Sequence, residues 1–469
     1  MTAASWADLE ALVPEALPDE PGETTDAVDC TPTLPDELWD ARRVLGHVRT
    51  AARARLVAPD ALLGATLARV CVSVDWRIVL PPIVGRQGSL NLSVALAGRS
   101  GTGKGSVADE SAALLGRRAV SVEHPAGEAP AGSGEGIIKS FFDLVADPDS
   151  DKKNPPKVWQ LARRAMLLRI DEGELLRALG QRSGQTTDQV LRQAWSGEAL
   201  GGSYVGESGQ RSLDAHGYRL AVLLAVQPEV GQFLLDGAAG GTPQRLLWLA
   251  GGADPGAPNN PPEHPGRLAL DLPSFATLAH RVTEDYRGHR LATMGVHGEI
   301  AAELRAAQLA VLRGTVEVDP LDTHAGLGRL KVAGLLALLD GRADIDVEDW
   351  KLAGLVADTS RAVRTWMAGL LAGVERRNGW ARTEYAADRA ATIEMAVVGA
   401  RADVRRVAAV MARHVARHDD GDPCTPRCLS RSVASRDRRH HAAALGHAAE
   451  VGWIHDGDGQ VRPGESRPA

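Results

Sequence analysis

A glycine-rich segment, residues 98–106, carries the residue types in this chain that are best suited to chemistry. Its Gly98, Gly101, Gly103 and Lys104 match the spacing G-x-x-x-x-G-K. Glycine lets the backbone turn so tightly that several N–H groups converge on anionic oxygens, and the lysine supplies a positive charge. The spacing therefore predicts a loop that binds the phosphates of ATP. The residues expected to contact the nucleotide are Gly98, Ser100, Gly101, Thr102, Gly103, Lys104, Gly105 and Ser106.

The position after the lysine departs from the usual pattern. Gly105 stands where a serine or threonine normally offers a hydroxyl to Mg²⁺, and Ser106 follows one position later. The metal contact must therefore shift to Ser106, pass through water, or be weak. A glycine-rich turn that binds no ligand is the alternative interpretation of the whole segment.

Two carboxylates follow an apolar stretch at residues 166–170. We expect Asp171 to hold Mg²⁺ together with Ser106, and Glu172 to polarise the water that attacks the terminal phosphate. A strand that ends in a solvated acidic turn would give the same pattern. The signal gains its weight from the lysine upstream.

Two further polar side chains are candidates for catalysis. Gln227 ends an apolar stretch at 219–226 and could hydrogen-bond the attacking water, although an amide that caps a strand is the alternative. Arg245 precedes another apolar stretch, 246–249, and could reach the γ-phosphate held by a neighbouring subunit. The alternative for this residue is a surface arginine.

These residues need a sheet to bring them together. Apolar strand candidates at 90–97, 166–170, 219–226 and 246–249 alternate with helical patterns, including one from residue 104 to 115. Such alternation is typical of a mostly parallel sheet with helices on both faces. It places the glycine-rich segment between a strand and a helix, where a phosphate-binding loop belongs.

The rest of the chain differs in pattern from this core. After a Pro- and Gly-rich linker at 251–266 the pattern is almost wholly helical to about residue 370, and the last segment is predicted as three helices and a hairpin, the winged-helix pattern. We therefore expect an α/β fold with a helix-flanked parallel sheet, an all-helical lid and a C-terminal winged-helix domain. The expected domains are an acidic disordered arm (1–35), an N-terminal helical segment (36–85), an ATP-binding core (86–266), the lid (267–375) and the winged helix (385–469).

Composition narrows the protein class. The chain has 469 residues, is 44% hydrophobic and has a net charge of −7, which suits a protein of two or three globular domains. Cys424 and Cys428 have histidines nearby and could bind zinc, but we expect reduced structural cysteines because no second cysteine pair accompanies them. The chain begins without a signal-peptide pattern and has no apolar run of membrane-spanning length, so we expect a cytoplasmic protein without membrane contact.

The order of Lys104, Asp171 with Glu172, Gln227 and Arg245 resembles the AAA+ P-loop ATPases. The likeness is to the minichromosome-maintenance-like branch and to the primase-helicase-like replication ATPases of actinobacterial plasmids, phages and integrative elements. In that branch a helix and hairpin precede an Asn-Pro sensor, and a Ser-Arg-Phe motif carries an arginine finger. Here residues 191–204 look like the insertion, Gln227-Pro like the sensor and Thr242-Pro-Gln-Arg245 like the finger region.

The likeness extends over roughly residues 60–370 and includes the lid. Residues 324–333 and 345–350 look like lid helices, and the match implies that Arg329 faces the nucleotide as a second sensor. The departures are glutamine instead of asparagine at Gln227, the glycine at Gly105 and the lack of recognisable primase motifs.

The resemblance implies an ATPase that uses ATP and Mg²⁺, assembles as a homo-oligomer such as a hexameric ring, and works on DNA as a replicative helicase-like motor of a mobile element or phage. Its DNA contacts would be Tyr204 in the hairpin and the basic C-terminal segment with Arg436, Arg438 and Arg439. The alternative is an ATP-switched regulatory or defence protein with a winged-helix DNA- or protein-binding domain and little unwinding activity. A small-molecule P-loop kinase is a third possibility, but the linker and helical bundle do not look like its substrate lid.

Overall fold

The computed structural model describes residues 31–98, 101, 103–116, 126–130, 134–148, 150, 153–170, 187–201, 211–227, 234, 241–285, 287–418, 424–457 and 460–468. The side chains of residue 104 and of most residues between 371 and 400 are outside this description. The chain divides into two compact units, Ala27–Val374 and Glu375–Ala469 with Met1–Asp26.

The helices are α1 (Asp36–Ala41), α2 (Arg43–Ala54), α3 (Pro59–Ser73), α4 (Lys104–Leu115), α5 (Gly134–Lys139), α6 (Gly298–Leu312), α7 (Ala325–Leu339), α8 (Val347–Val415), α9 (Pro426–Ser432) and α10 (His441–Glu450). Residues 187–196 are also helical. The strands are β1 (Ile78–Val79), β2 (Leu92–Ala97), β3 (Ala126–Pro130), β4 (Phe142–Ala146), β5 (Lys157–Leu161), β6 (Ala165–Ile170), β7 (Leu200–Gly201), β8 (Ser212–Leu213), β9 (Arg219–Val226), β10 (Leu246–Ala250), β11 (Val282–Glu284), β12 (Arg290–Thr293), β13 (Gly295–Val296), β14 (Asp344–Ile345), β15 (Ile454–Gly457) and β16 (Gln460–Pro463).

A five-stranded sheet forms the centre of the first unit. Its order is β10-β2-β9-β6-β3, and every neighbouring pair is parallel. Parallel strands that are buried on both faces become apolar along their whole length. All eight residues of β9 and all six of β2 are indeed buried. The expectation of an α/β fold with a parallel sheet is confirmed.

Helices cover both faces of this sheet. On one face, side chains such as Val94 and Leu96 pack against α3, α4 and α7, and on the other Ala95 and Ala97 pack with Phe141 and helical residues 187–196. The alternation follows from the two-residue period of a strand. Gly64 lets α3 approach closely, since a Cβ there would lie 2.8 Å from Val94 Cγ1 and 2.8 Å from Leu249 Cδ1.

Some expected elements were wrong in detail. The N-terminal helical segment is broken at Arg42, which is extended (φ −143°, ψ 142°). The lid is not all-helical, because residues 282–296 contain β11, β12 and β13. There β12 pairs in parallel with β1 and antiparallel with β11, and the hairpin between them turns through Gly288 at φ +82°.

The second unit has the predicted order of elements. The end of α8 is followed by the short helix α9, the helix α10 and the antiparallel hairpin β15–β16. A small core of its own holds these elements together. The residues Ser435–His440 form a 3₁₀ turn that precedes α10, so Arg436, Arg438 and Arg439 lie on this turn and not on the longer helix.

Among the described residues, no helix combines the length and the apolar character that a membrane crossing requires.

Candidate nucleotide-binding site

The glycine-rich segment begins at the carboxyl end of the central strand β2. The Gly98 N–H donates to the Val226 carbonyl at 3.0 Å, and the Gly251 N–H donates to the Ala97 carbonyl at 2.6 Å. The chain therefore leaves the sheet between the ends of β9 and β10. In open parallel sheets, the crevice outside the carboxyl ends of the strands is where ligands bind.

The backbone of the loop has the conformation for which its glycines are suited. Gly101 and Gly103 adopt left-handed conformations with φ of +80° and +76°. Among the described residues, an added Cβ at Gly101, Gly103 or Gly105 would meet no atom within 4 Å. No described side chain therefore covers this backbone, which an anion could approach.

Helix α4 follows the loop directly. Gly103 is its N-cap and Lys104 its first residue, as the sequence predicts. The first turn of a helix carries unpaired N–H groups and a positive partial charge, which favour an anion. The side chain of Ser106 is exposed in this first turn. Ser100, Thr102 and the side chain of Lys104 lie outside the described residues.

The strands β9 and β6 end on the same side of the sheet as β2, at their carboxyl ends. Val226 pairs with Ala97, and Ile170 pairs with Leu224 two residues earlier in β9. Gln227 follows directly and is half-buried. The strand β6 ends at Ile170, immediately before the predicted Asp171 and Glu172, which themselves lie outside the described residues.

Arg245 lies at the amino end of the strands, opposite the end that carries the loop. It precedes β10, whose Leu246 pairs with Ser93 and whose Ala250 pairs with Ala97. The five residues of the strand, at about 3.3 Å each, separate Arg245 from the loop edge by roughly 16 Å. An action of Arg245 on the phosphate of its own chain is incompatible with this spacing.

The guanidinium of Arg245 is half-buried. Its Nη1 donates to the Gly241 carbonyl at 2.6 Å, and its Cζ lies 5.7 Å from the ring centroid of Trp195. Its Nε is buried without a hydrogen-bond partner among the described residues. Burial, and then the charge of Arg192, lower the pKa of Arg245 below its ordinary value.

Arg329 lies near Arg245, at the amino ends of the strands. Its Nε and Nη2 donate to the Trp350 carbonyl at 3.1 and 2.8 Å, and its Cζ lies 3.8 Å from the Trp350 ring centroid. Glu303 Oε1 lies 3.5 Å from its Nη1. Gly354 gives the guanidinium room, since a Cβ there would lie 2.8 Å from Nη2 of Arg329. Arg329 is thus held by residues of α6 and α8 and lines a cavity together with Arg245.

Arg245 and Arg329 line the same cavity, which has a volume of about 80 Å³. Sequence reasoning missed two more arginines of its lining, Arg361 and Arg364, whose three-residue spacing on a helix was the available signal. Both are paired to Asp322, through Arg361 Nε at 3.2 Å and Arg364 Nη2 at 2.8 Å. Even with this carboxylate the lining has an excess of guanidinium groups, so it is electrostatically suited to an anion.

His324 also lines this cavity. Burial, followed by the charges of Arg245 and Lys331, lowers the pKa of His324 to about 4. The imidazole is therefore neutral at physiological pH and adds no charge to the guanidinium groups beside it.

The predicted insertion is described only in part. Residues 187–196 are helical, and β7 and β8 pair antiparallel as Leu200 with Leu213 and Gly201 with Ser212. Tyr204 lies outside the described residues. Of the predicted site residues that the structure describes, the loop glycines, Ser106 and Gln227 thus lie at the carboxyl ends of the strands, and Arg245 and Arg329 lie at the amino ends.

No protein-family model matches the chain, and the search of curated proteins found no match either.

Proposed function

We propose that this chain is an ATP-hydrolysing P-loop protein of the AAA+ type that works as a DNA-associated motor. The observation that carries the proposal is the junction of β2, the loop and α4. A buried central strand leads into left-handed Gly101 and Gly103, and a helix begins at Lys104. This combination supplies backbone N–H groups and a helix N-terminus to a triphosphate.

The loop glycines, whose backbone no described side chain covers, and the exposed hydroxyl of Ser106 fit a magnesium nucleotide. In the proposed site, Ser106 and Asp171 hold Mg²⁺, which neutralises charge on the phosphates when it is bound. Glu172 orients and polarises the attacking water, and Gln227 hydrogen-bonds that water or the γ-phosphate. The pairing of β2 with β9 and of β9 with β6 supports this grouping, since the strands before these residues end at one edge.

The arginines at the amino ends of the strands support a proposal that the chain assembles with further copies of itself. In the proposed homo-oligomer, such as a hexameric ring, Arg245 and Arg329 contact the triphosphate held by the next copy. Support comes from the excess of guanidinium groups in the cavity, and from the length of β10, which keeps Arg245 away from its own loop. An arginine supplied by a neighbour can stabilise the charge that develops during phosphoryl transfer.

The C-terminal unit is proposed to be a winged helix that contacts DNA. The exposed side chains of Arg436, Arg438 and Arg439 lie together on one 3₁₀ turn, where phosphate groups can reach them. Its order of helices and hairpin also agrees with that type of domain.

One observation favours a second function, an ATP-switched regulatory or defence protein with little unwinding activity. Gly105 stands at the position where a serine or threonine hydroxyl usually binds Mg²⁺. The lack of that hydroxyl favours slow turnover. A switch would bind ATP and assemble, but its turnover would respond little to DNA.

Steady-state ATPase measurements on the full chain, with and without single-stranded and duplex DNA, test the proposal. If the chain is a motor, DNA should raise its ATPase rate severalfold. The Glu172→Gln variant should lose ATP turnover but still bind ATP. Lys104→Ala should lose ATP binding, whereas Lys351→Ala, at an exposed lysine paired with Glu37 at 2.6 Å, should keep it. Absence of ATP binding by the native chain in calorimetry would disprove both functions, and binding without DNA stimulation would favour the switch.

A further inference from the structure

Four side chains of the second unit direct nitrogen or sulfur atoms at one point. They are His414, His418, Cys424 and Cys428, and their ligand atoms all lie within 4.8 Å of one another. The Sγ of Cys428 lies 3.4 Å from Nε2 of His414 and 3.4 Å from Nε2 of His418. The two imidazole rings meet edge to face at 5.1 Å between centroids.

Backbone structure outside the cluster fixes these positions. His414 is in the last turn of α8, and His418 lies one helical turn further along the chain. The Val461 N–H donates to the Cys424 carbonyl at 2.8 Å, which ties this cysteine to the hairpin. The Thr425 side chain caps α9 by accepting the Cys428 N–H at 3.2 Å. The convergence is therefore built by three separate elements.

The donor set identifies the kind of ion. Two thiolates and two imidazoles in one group are the ligands of tetrahedral zinc, with Zn–S near 2.3 Å and Zn–N near 2.0–2.1 Å. Magnesium and calcium prefer oxygen ligands, and the cluster contributes none. Both pairs have three intervening residues, within the spacings that zinc sites use. Four protein ligands fill the coordination sphere, which is typical of a structural site.

The core of this unit explains why such a site would matter. Among the described residues, twelve are buried in this core, and four of them are alanines, Ala408, Ala412, Ala444 and Ala448, which each contribute little apolar area. Small domains with limited cores commonly depend on a metal or a disulfide for stability. Cys424 belongs to this core and is 1% exposed.

We propose that His414, His418, Cys424 and Cys428 form a structural zinc site that joins the end of α8 to α9 and to the β15–β16 hairpin. The site is separate from the proposed nucleotide site and needs neither ATP nor DNA. Its partly exposed members His414 and Cys428 also line an open pocket that gives the ion a route from solvent.

Metal analysis of the full-length chain tests this site. The native chain, purified without chelator, should contain one zinc per molecule. After removal of zinc and addition of Co²⁺, the chain should show the visible absorption of tetrahedral cobalt and the charge-transfer bands of its thiolate ligands, and excess Zn²⁺ should abolish both. Cys428→Ser and His418→Asn should each lose the bound metal and lower the melting temperature.

Controls separate metal loss from misfolding. Cys428→His supplies an imidazole in place of the thiolate, so it should keep tetrahedral cobalt with weaker thiolate bands, even if Cys428→Ser does not fold. His447→Asn, at a histidine that meets Trp453 edge to face in the same unit, should keep the full zinc content. A native chain without zinc and without a tetrahedral cobalt spectrum would overturn the proposal, as would full zinc content in both Cys428→Ser and His418→Asn.

Discussion

The N–H of Gly98 donates a 3.0 Å hydrogen bond to the carbonyl of Val226, the residue that immediately precedes Gln227. The first glycine of the loop and the amide of the proposed sensor therefore depend on the same piece of backbone. Hydrogen bonding between β2 and β9 continues along the whole of β2. This hydrogen bond fixes the start of the loop beside the backbone that carries Gln227.

The side chain of Gln227 should affect turnover more than binding. In the proposed mechanism, Gln227→Ala would remove a hydrogen bond to the water or γ-phosphate. We therefore expect the ATPase rate to fall by about tenfold, which corresponds to ~1.4 kcal/mol of transition-state stabilisation. Nucleotide affinity should change little. Gln227→Asn keeps the amide and should retain more activity than the alanine variant. Equal rates for native and alanine enzymes in single-turnover measurements would remove Gln227 from the mechanism.

Gly103 and Gly105 form a matched pair in the loop. Gly103→Ala places a Cβ on a left-handed residue (φ +76°), which costs about 1–2 kcal/mol or distorts the loop. Gly105 lies in the first turn of α4 without a positive φ, so Gly105→Ala should leave the fold intact. We expect Gly103→Ala to weaken ATP binding in calorimetry much more than Gly105→Ala. The reverse order would show that the loop does not act through this backbone.

Asp349 should be important for the stability of the first unit. Its side chain is fully buried between two arginines, with Arg42 Nη1 at 2.7 Å and Arg342 Nη2 at 2.8 Å. Asp349→Asn removes the buried carboxylate that both guanidinium groups share, although Arg42 keeps Glu348 at 2.7 Å and Arg342 keeps Asp346 at 2.9 Å. The loss of these charged hydrogen bonds should lower the free energy of unfolding by about 1.5–3 kcal/mol in urea titrations. Asp344→Asn, at a pair with Arg281 that is 65% exposed on the carboxylate side, should cost less than about 1 kcal/mol. Similar losses in both variants would contradict this account.

Asp60 should make stability depend on pH. Burial raises the pKa of this carboxyl to about 7 from 3.8, although the Leu34 N–H donates to it at 2.8 Å. The folded chain therefore holds the proton more tightly than the unfolded chain, so this group lowers stability as pH rises from about 4 to 7. Asp60→Asn should gain stability relative to the native chain at pH 8 but not at pH 4. Thermal unfolding across this range measures the difference.

DNA binding by the C-terminal unit should be sensitive to salt. Removal of one phosphate contact, by Arg438→Ala or by Arg439→Ala, should reduce the slope of log affinity against log salt by about 0.9 on duplex DNA. The affinity should fall to a similar extent for different sequences, because phosphate contacts do not read bases. Arg313→Ala, at an exposed arginine of the first unit, serves as the control in fluorescence anisotropy titrations. An unchanged slope in a variant that combines both substitutions would place the DNA contact elsewhere.

Much of the central sheet could be predicted from sequence because its strands are continuously apolar. The strand β9 has the predicted bounds, and α4 begins at Lys104 as expected. The edge strand β3 was missed, since Ala126–Pro130 has no apolar run and is held by main-chain pairing with β6. The break at Arg42 was also missed, because it depends on Asp349, which is 307 residues away in sequence.

The position of Gln227 in the candidate site was predictable for the same reason. Residues that follow parallel strands end at one edge by topology alone, and Gln227 is found there. The meeting of Arg245 with Arg329 was not predictable, because it depends on how α7 and α8 pack beside the sheet. Convergence of His414 and His418 on Cys428 likewise requires the tertiary position of α9.

The strand β10 runs from the amino side of the sheet to the carboxyl side. It begins directly after Arg245. After its last residue, the Gly251 N–H donates to the carbonyl of Ala97, the residue before the loop. A hydrogen-bonded strand in a close-packed interior is stiff along its axis, so a push on Arg245 is not absorbed by side-chain rearrangement on the way. In a ring of such chains, each subunit could sense the occupancy of the next through main-chain geometry alone, without a mobile relay.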